Sequence, residues 1–135
     1  MNDLKPGDVL FHGTSMSRWR SIQQDGRLRL PTSGDLKISL TTDFGVAVYW
    51  AKLASASDGT VAECRAALAA IANRKAGVVL VLSHSALETS GHWLTEFNDD
   101  FWGEGECDWE QEIACWSDID IAQVAIAFQL DAATV

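Results

Sequence analysis

The chain has 135 residues, 47% hydrophobic and 21% charged, with ten glycines and two prolines; this composition supports one packed domain over 1–135 and excludes a low-complexity chain. Its net charge of −9 is uneven: residues 1–59 carry seven Lys/Arg against six Asp/Glu, whereas 60–135 carry three against thirteen, with no Lys or Arg after Lys75. A surface that tracks nucleic-acid phosphates needs clustered cations, so direct nucleic-acid binding is disfavoured, and a bound anion is expected against the first half.

No apolar run approaches the roughly 20 residues that span a bilayer. The start, Met1-Asn2-Asp3-Leu4-Lys5-Pro6, lacks an apolar signal region, so no membrane contact and a cytoplasmic location are expected. Cys64, Cys107 and Cys115 are odd in number and show no Cys-x-x-Cys spacing. Neither a disulfide framework nor a zinc knuckle is supported, and inert thiols are the expectation.

In chain order, Lys5-Pro6-Gly7-Asp8 reads as a turn before a strand at Val9–His12. Ser17 can cap a helix that ends at Gly26, where positive φ is tolerated. Leu28–Leu30 and Ile38–Thr41 read as short strands on either side of the Pro31–Asp35 loop. Thr42 or Asp43 then caps a helix through Tyr49, Trp50 and Leu53. Val61–Arg74 is Ala-rich with apolar residues at helical spacing. Val78–Leu82 is an unbroken apolar run, which predicts a strand buried on both faces near the middle of a sheet. Ser90–Asp108 reads as a long, Trp-rich surface loop, and Glu112–Trp116 and Val124–Leu130 as closing strands. The fold class expected is α+β with a mostly antiparallel, split sheet.

Three separated segments stand out: Phe11-His12-Gly13-Thr14-Ser15; Ile38-Ser39-Leu40-Thr41-Thr42 with Tyr49-Trp50-Ala51 after it; and Glu110-Gln111-Glu112-Ile113. In this order they resemble the signature of the ADP-ribosyltransferase family, in members of the His-Tyr-Glu type. The resemblance implies a split antiparallel sheet with flanking helices around an NAD cleft, cleavage of NAD as co-substrate, and transfer of ADP-ribose to a target. It implies that His12 donates to the adenosine-side ribose, that Gly13 and Thr14 complete the NAD contact, and that Tyr49 stacks on nicotinamide. Where relatives of this type place an aromatic, the chain has Ser39 and Thr41, closer to the Ser-x-Ser strand of the Arg-Ser-Glu branch. Thr41 then supplies a hydroxyl to the pocket. The subclass stays open between the two.

The late acids carry the chemistry implied. A carboxylate accepting from a ribose hydroxyl can orient the sugar and stabilise the oxocarbenium-like centre formed as the glycosidic bond breaks. The resemblance gives this role to Glu112. Glu110, two residues earlier and on the same face of an extended strand, corresponds to the acid that activates the acceptor in arginine-modifying relatives. Arg18, Arg20, Arg27 and Arg29 lie close in sequence to His12 and are the cations available for the NAD pyrophosphate.

Each of these residues also has a plainer explanation. His12 can be a half-buried ring before a turn, Tyr49 part of a core face with Phe44, Val48 and Ala51, the arginines a solvated surface, and Glu112 one of eleven acids between Glu88 and Asp120. The acceptor expected is a protein, with a basic surface if the acidic, aromatic stretch holding Phe101, Trp102 and Trp109 recognises it. The small acidic format also resembles phage effectors, including anti-CRISPR ADP-ribosyltransferases. Alternatives are a catalytically silent acidic binding module of this fold, a rifamycin-modifying type and an RNA 2′-phosphotransferase. The last two lack, respectively, the Arg-rich late segment and the basic second half they need. His84, His92 and Cys107 show no metal-ligand spacing, Ser83-His84-Ser85 has no hydrolase pattern, and oligomeric state is open.

Overall fold

The computed structural model describes residues 7–32, 37–56, 77–96 and 111–130. These form an α+β arrangement built on a six-stranded, antiparallel sheet. The elements are β1 (Val9–Thr14), α1 (Met16–Asp25), β2 (Arg27–Leu28), β3 (Ile38–Thr41), α2 (Phe44–Ala56), β4 (Val78–Ser83), α3 (His84–Thr89), β5 (Leu94–Glu96), β6 (Glu112–Cys115), β7 (Ile119–Asp120) and β8 (Ile126–Gln129). Strand order is β5-β6-β3-β1-β4-β8, and β2 pairs with β7 in a small second ribbon.

β1 pairs with β4 along its whole length, from Val9 opposite Ser83 to Thr14 opposite Val78. All six residues of β4 are buried, as its unbroken apolar run requires. It lies between β1 and the edge strand β8 rather than at the centre. The contact between β1 and β3 is different, resting on one pairing, Phe11 opposite Thr41. The sheet opens there, and that opening positions the site.

The two faces are packed unlike each other. One carries Leu10, Leu40, Leu80, Leu82, Ile113 and Cys115, packed with Trp19 of α1 and Leu87 of α3. The other carries Phe11 and Val79 beneath Ala47 and Ala51 of α2. Alanines permit a close helix, and the strand beneath must be bare. A Cβ on Gly13 would stand 2.1 Å from the Ala47 carbonyl oxygen, and one on Gly77, already at φ 124°, 2.8 Å from that of Ala51. Glycine is required at position 13 by packing, and at position 77 by packing and backbone conformation together.

Capping explains the helix limits. Ser15, not Ser17, caps α1: its Oγ accepts from the Arg18 amide at 3.2 Å, and Gly26 ends the helix at φ 78°. Asp43 caps α2 through Val46 N at 3.2 Å. Asp8 ties the β1 entrance to α3, accepting from Ser83 Oγ at 2.5 Å, Ser85 N at 2.8 Å and Ser85 Oγ at 2.9 Å. These bonds, the Ser83 hydroxyl foremost, hold its carboxyl below the usual aspartate range.

Three short elements depart from expectation. α3 and β7 are too short for periodicity to reveal, and β5 falls inside the stretch expected to be loop. The helix expected at Val61–Arg74, Glu110, Phe101, Trp102, Trp109, Cys64 and Cys107 lie outside the described residues. No helix among the described residues is long and apolar enough to cross a membrane.

Candidate functional site

A cavity of about 390 Å³ opens beside the gap between β1 and β3. β1 contributes His12 and Thr14, α1 contributes Arg18, and Arg27 of β2, Arg29 and Lys37 complete its polar wall. The first half of the chain therefore does assemble a basic concavity. Arg20 is exposed on α1 and is not part of the lining. Arg29 Nε donates to Asp25 Oδ2 at 2.9 Å, and Arg27 lies 4.0 Å from Asp118. Asp25 holds the Arg29 guanidinium above its usual range, first through this hydrogen bond and then through its charge. With side-chain exposures of 36–58%, these pairs are solvent-screened, so a phosphate can replace the carboxylates at little cost.

His12 bridges the gap. Its Nδ1 lies 2.8 Å from the Ser39 carbonyl oxygen, which can only accept, so Nδ1 carries the proton. Packed protein around the ring disfavours its charged form, and nearby Arg18 adds to this, while the Ser39 carbonyl acts the other way; the net pKa is lowered. At neutral pH the ring is uncharged and Nε2 is a bare lone pair. It can accept from a sugar hydroxyl; the donation expected there would come from the charged ring, in which both nitrogens carry a proton.

Glu112 stands opposite Thr41 across the β3–β6 ladder and is 7% exposed. The carboxylate is not alone: Lys37 Nζ donates to Glu112 Oε2, closing an ion pair whose lysine side chain is 5% exposed. Lys37 also donates to Ser39 Oγ at 3.4 Å. Ser39 and Thr41 of β3, with Lys37 just before the strand, alternate onto one face, and the cross-strand partners Phe11 and Glu112 share it. That is the face under α2, whereas His12 lies on the other with Leu10 and Thr14. The two are joined through Ser39, whose carbonyl takes His12 and whose hydroxyl takes Lys37.

The structure thus brings His12, Thr14, Arg18 and Arg29 into one cavity and places Glu112 and Thr41 behind it. Thr41 is fully buried, and its Oγ1 accepts from Asp43 N at 3.1 Å, a local bond at the start of α2. Tyr49 is not among the cavity residues. At about 100° per residue it sits some 200° around α2 from Ala47, away from the stripe that meets the sheet. Gly13 has its Cβ direction filled by α2, so its identity is explained without a ligand.

Lys37 is the site residue that sequence reasoning missed. The available signal was its period-two spacing with Ser39 and Thr41, but a lysine at the end of a loop reads as solvated until its partner, 75 residues away, is known. A second polar group unites segments distant in sequence: His92 Nδ1 lies 2.6 Å from Ser117 Oγ and 3.8 Å from the buried Cys115 Sγ. With that sulfur inside the core, the geometry suits a structural tie. Among the described residues, no group of three or more His, Cys, Asp or Glu is placed to hold a metal ion. No family model, curated protein or solved structure matches the chain.

Proposed function

We propose that the protein is an NAD-dependent mono-ADP-ribosyltransferase, with a protein as acceptor. The observation that carries the proposal is the basic cavity around His12, whose Lys37 wall is bonded directly to the buried Glu112. Its donor set fits a dinucleotide. Arg18, Arg27 and Arg29 suit a pyrophosphate, and the Nε2 lone pair of His12 suits a ribose hydroxyl.

The reaction breaks the nicotinamide–ribose C–N bond. Nicotinamide leaves with the bonding pair, the acceptor nucleophile forms the new bond to the anomeric carbon, and the acceptor's proton passes to solvent or a nearby base. Glu112 orients the ribose and stabilises positive charge at that carbon. On this reading the ribose must approach Glu112 past Ser39, whose carbonyl takes His12 and whose hydroxyl takes Lys37. Glu110 remains the proposed acid for activating the acceptor. Thr41 is a supporting hydroxyl of the Glu112 side, and Tyr49 and Gly13 are assigned no substrate contact.

A catalytically silent member of the same fold, binding a basic protein, is the second reading. One observation favours it: Glu112 is buried, neutralised by Lys37 and on the opposite face from His12. Labelled NAD incubated with protein and a cell lysate separates the two. A transferase labels a discrete band and releases nicotinamide, and Glu112→Gln lowers both at least about a hundredfold while still binding NAD. Equal labelling by mutant and wild type removes Glu112 from the chemistry; no labelling and no nicotinamide release in any lysate tried leaves the silent module.

A further inference from the structure

We infer that β8 is a docking edge for a second copy of this chain, and that two copies pair their β8 strands antiparallel about a two-fold axis centred on Phe128. The inference goes beyond the transferase reading and does not rest on it, since β4 separates β8 from the strands beside the cavity. β8 is one end of the six-stranded sheet, and among the described residues no strand pairs with its outer side. The two ends of the sheet differ. β5 carries the exposed Glu96, a charge that discourages strand addition. β8 has no such guard: residues 121–130 include no charged side chain, glycine or proline, and Ile126 and Phe128 are each 46% exposed.

The backbone of β8 is self-complementary. Leu130 N donates to the Gly77 carbonyl at 2.8 Å, one step beyond the Val78–Gln129 pairing, so alternation turns the amides and carbonyls of Ile126, Phe128 and Leu130 towards β4 and those of Ala127 and Gln129 outwards. Two copies related by a two-fold axis bring these edges together antiparallel. Ala127 of each copy then exchanges both hydrogen bonds with Gln129 of the other, Phe128 faces Phe128, and Ile126 faces Leu130. The Phe128 ring already packs edge-on against Phe44 at 5.9 Å, and Leu130 packs against the Ala47, Ala51 and Val79 cluster, so this apolar face is set before contact. Charge selects the place. With a net −9 on each chain, two copies repel over much of their surface, and this uncharged strip lets them approach without opposing like charges. A four-residue strand buries less than the roughly 1,200–2,000 Å² of a stable interface, so the dimer is weak and forms as concentration rises.

The test is sedimentation velocity of the purified chain from about 5 µM to about 1 mM, a span that covers weak association, for wild type, Ala127→Pro and Phe128→Lys. Proline at 127 removes an outward amide and leaves the β4 ladder its bonds; lysine at 128 sets two like charges opposite each other at the axis. Wild type should pass from one chain towards two as concentration rises, and each variant, with its fold checked by near-UV dichroism, should weaken this at least about tenfold. Should Ala127→Pro fail to fold, Gln129→Pro, which removes the other outward amide, takes its place. Dimerisation retained by either folded variant puts the contact elsewhere and overturns the inference. A wild type that stays a single chain throughout also overturns it, and leaves the β8 edge to an extended segment of another protein. Neither result bears on NAD cleavage, which is read separately by nicotinamide release.

Discussion

The two faces of the sheet solve the same packing problem differently. Beneath α1 and α3, large side chains such as Leu10, Leu80, Leu82 and Leu87 fill a deep core, and the polar cavity opens only at its margin. Beneath α2, two alanines press on two glycines, and the space farther along β3 and β6 is occupied by an ion pair. A face filled by leucines tolerates small losses of volume. A face built from backbone contact and a buried charge pair tolerates neither added atoms nor a missing partner, so the α2 face is where the protein is most easily damaged.

The largest expected effect is therefore at Lys37. Lys37→Met leaves the Glu112 carboxylate buried and unpaired and should destabilise the fold by about 3–5 kcal/mol in chemical denaturation. Removing both charges with K37M/E112L should recover most of this loss. Equal stability of wild type and Lys37→Met would show that the pair is not buried as described.

Gly13→Ala comes next. The added methyl meets the Ala47 carbonyl at 2.1 Å, so α2 must shift. A loss of about 1–3 kcal/mol is expected, with changed near-UV dichroism from Trp50, whereas Ser21→Ala on exposed α1 should stay within about 0.5 kcal/mol. A neutral Gly13→Ala would mean that the helix sits farther from the sheet.

The smallest effect distinguishes the faces by pH. His12 has a folded pKa below its ordinary value of about 6.5, so the unfolded chain binds its proton first. The His12 contribution is fully present above that value and is lost as pH falls through it towards the folded pKa. Asp8, also lowered from 3.8, contributes above that value and loses its effect only as pH falls below it. Stability of wild type should decline below about pH 6.5, and His12→Gln should remove that first decline while leaving the more acid one. A profile unchanged by His12→Gln would contradict a buried, neutral ring.

Much of this architecture is legible in the sequence, because apolar runs and caps act locally. Val78–Leu82, Ile38–Thr41 and Gly26 declare a buried strand, a short strand and a helix end through their own chemistry. The candidate site is legible on one side only. His12 and the arginines lie within one short stretch, and their cavity could be anticipated from charge. The Glu112 environment could not, since it depends on Lys37 arriving from the loop before β3 and on which way each ladder alternates. Tyr49 shows the same limit: helical spacing places it on α2, but only the Ala47–Ala51 contact reveals that it points away from the sheet.

Nicotinamide release from NAD by purified protein, compared between wild type, His12→Ala and Glu112→Gln, tests the central claim most directly, because it asks one residue from each face to serve one reaction. Release by wild type and its loss by both variants, with each still folded, is the predicted result. Release undiminished by either variant, or no release by wild type with any acceptor supplied, would contradict a shared NAD site across the sheet.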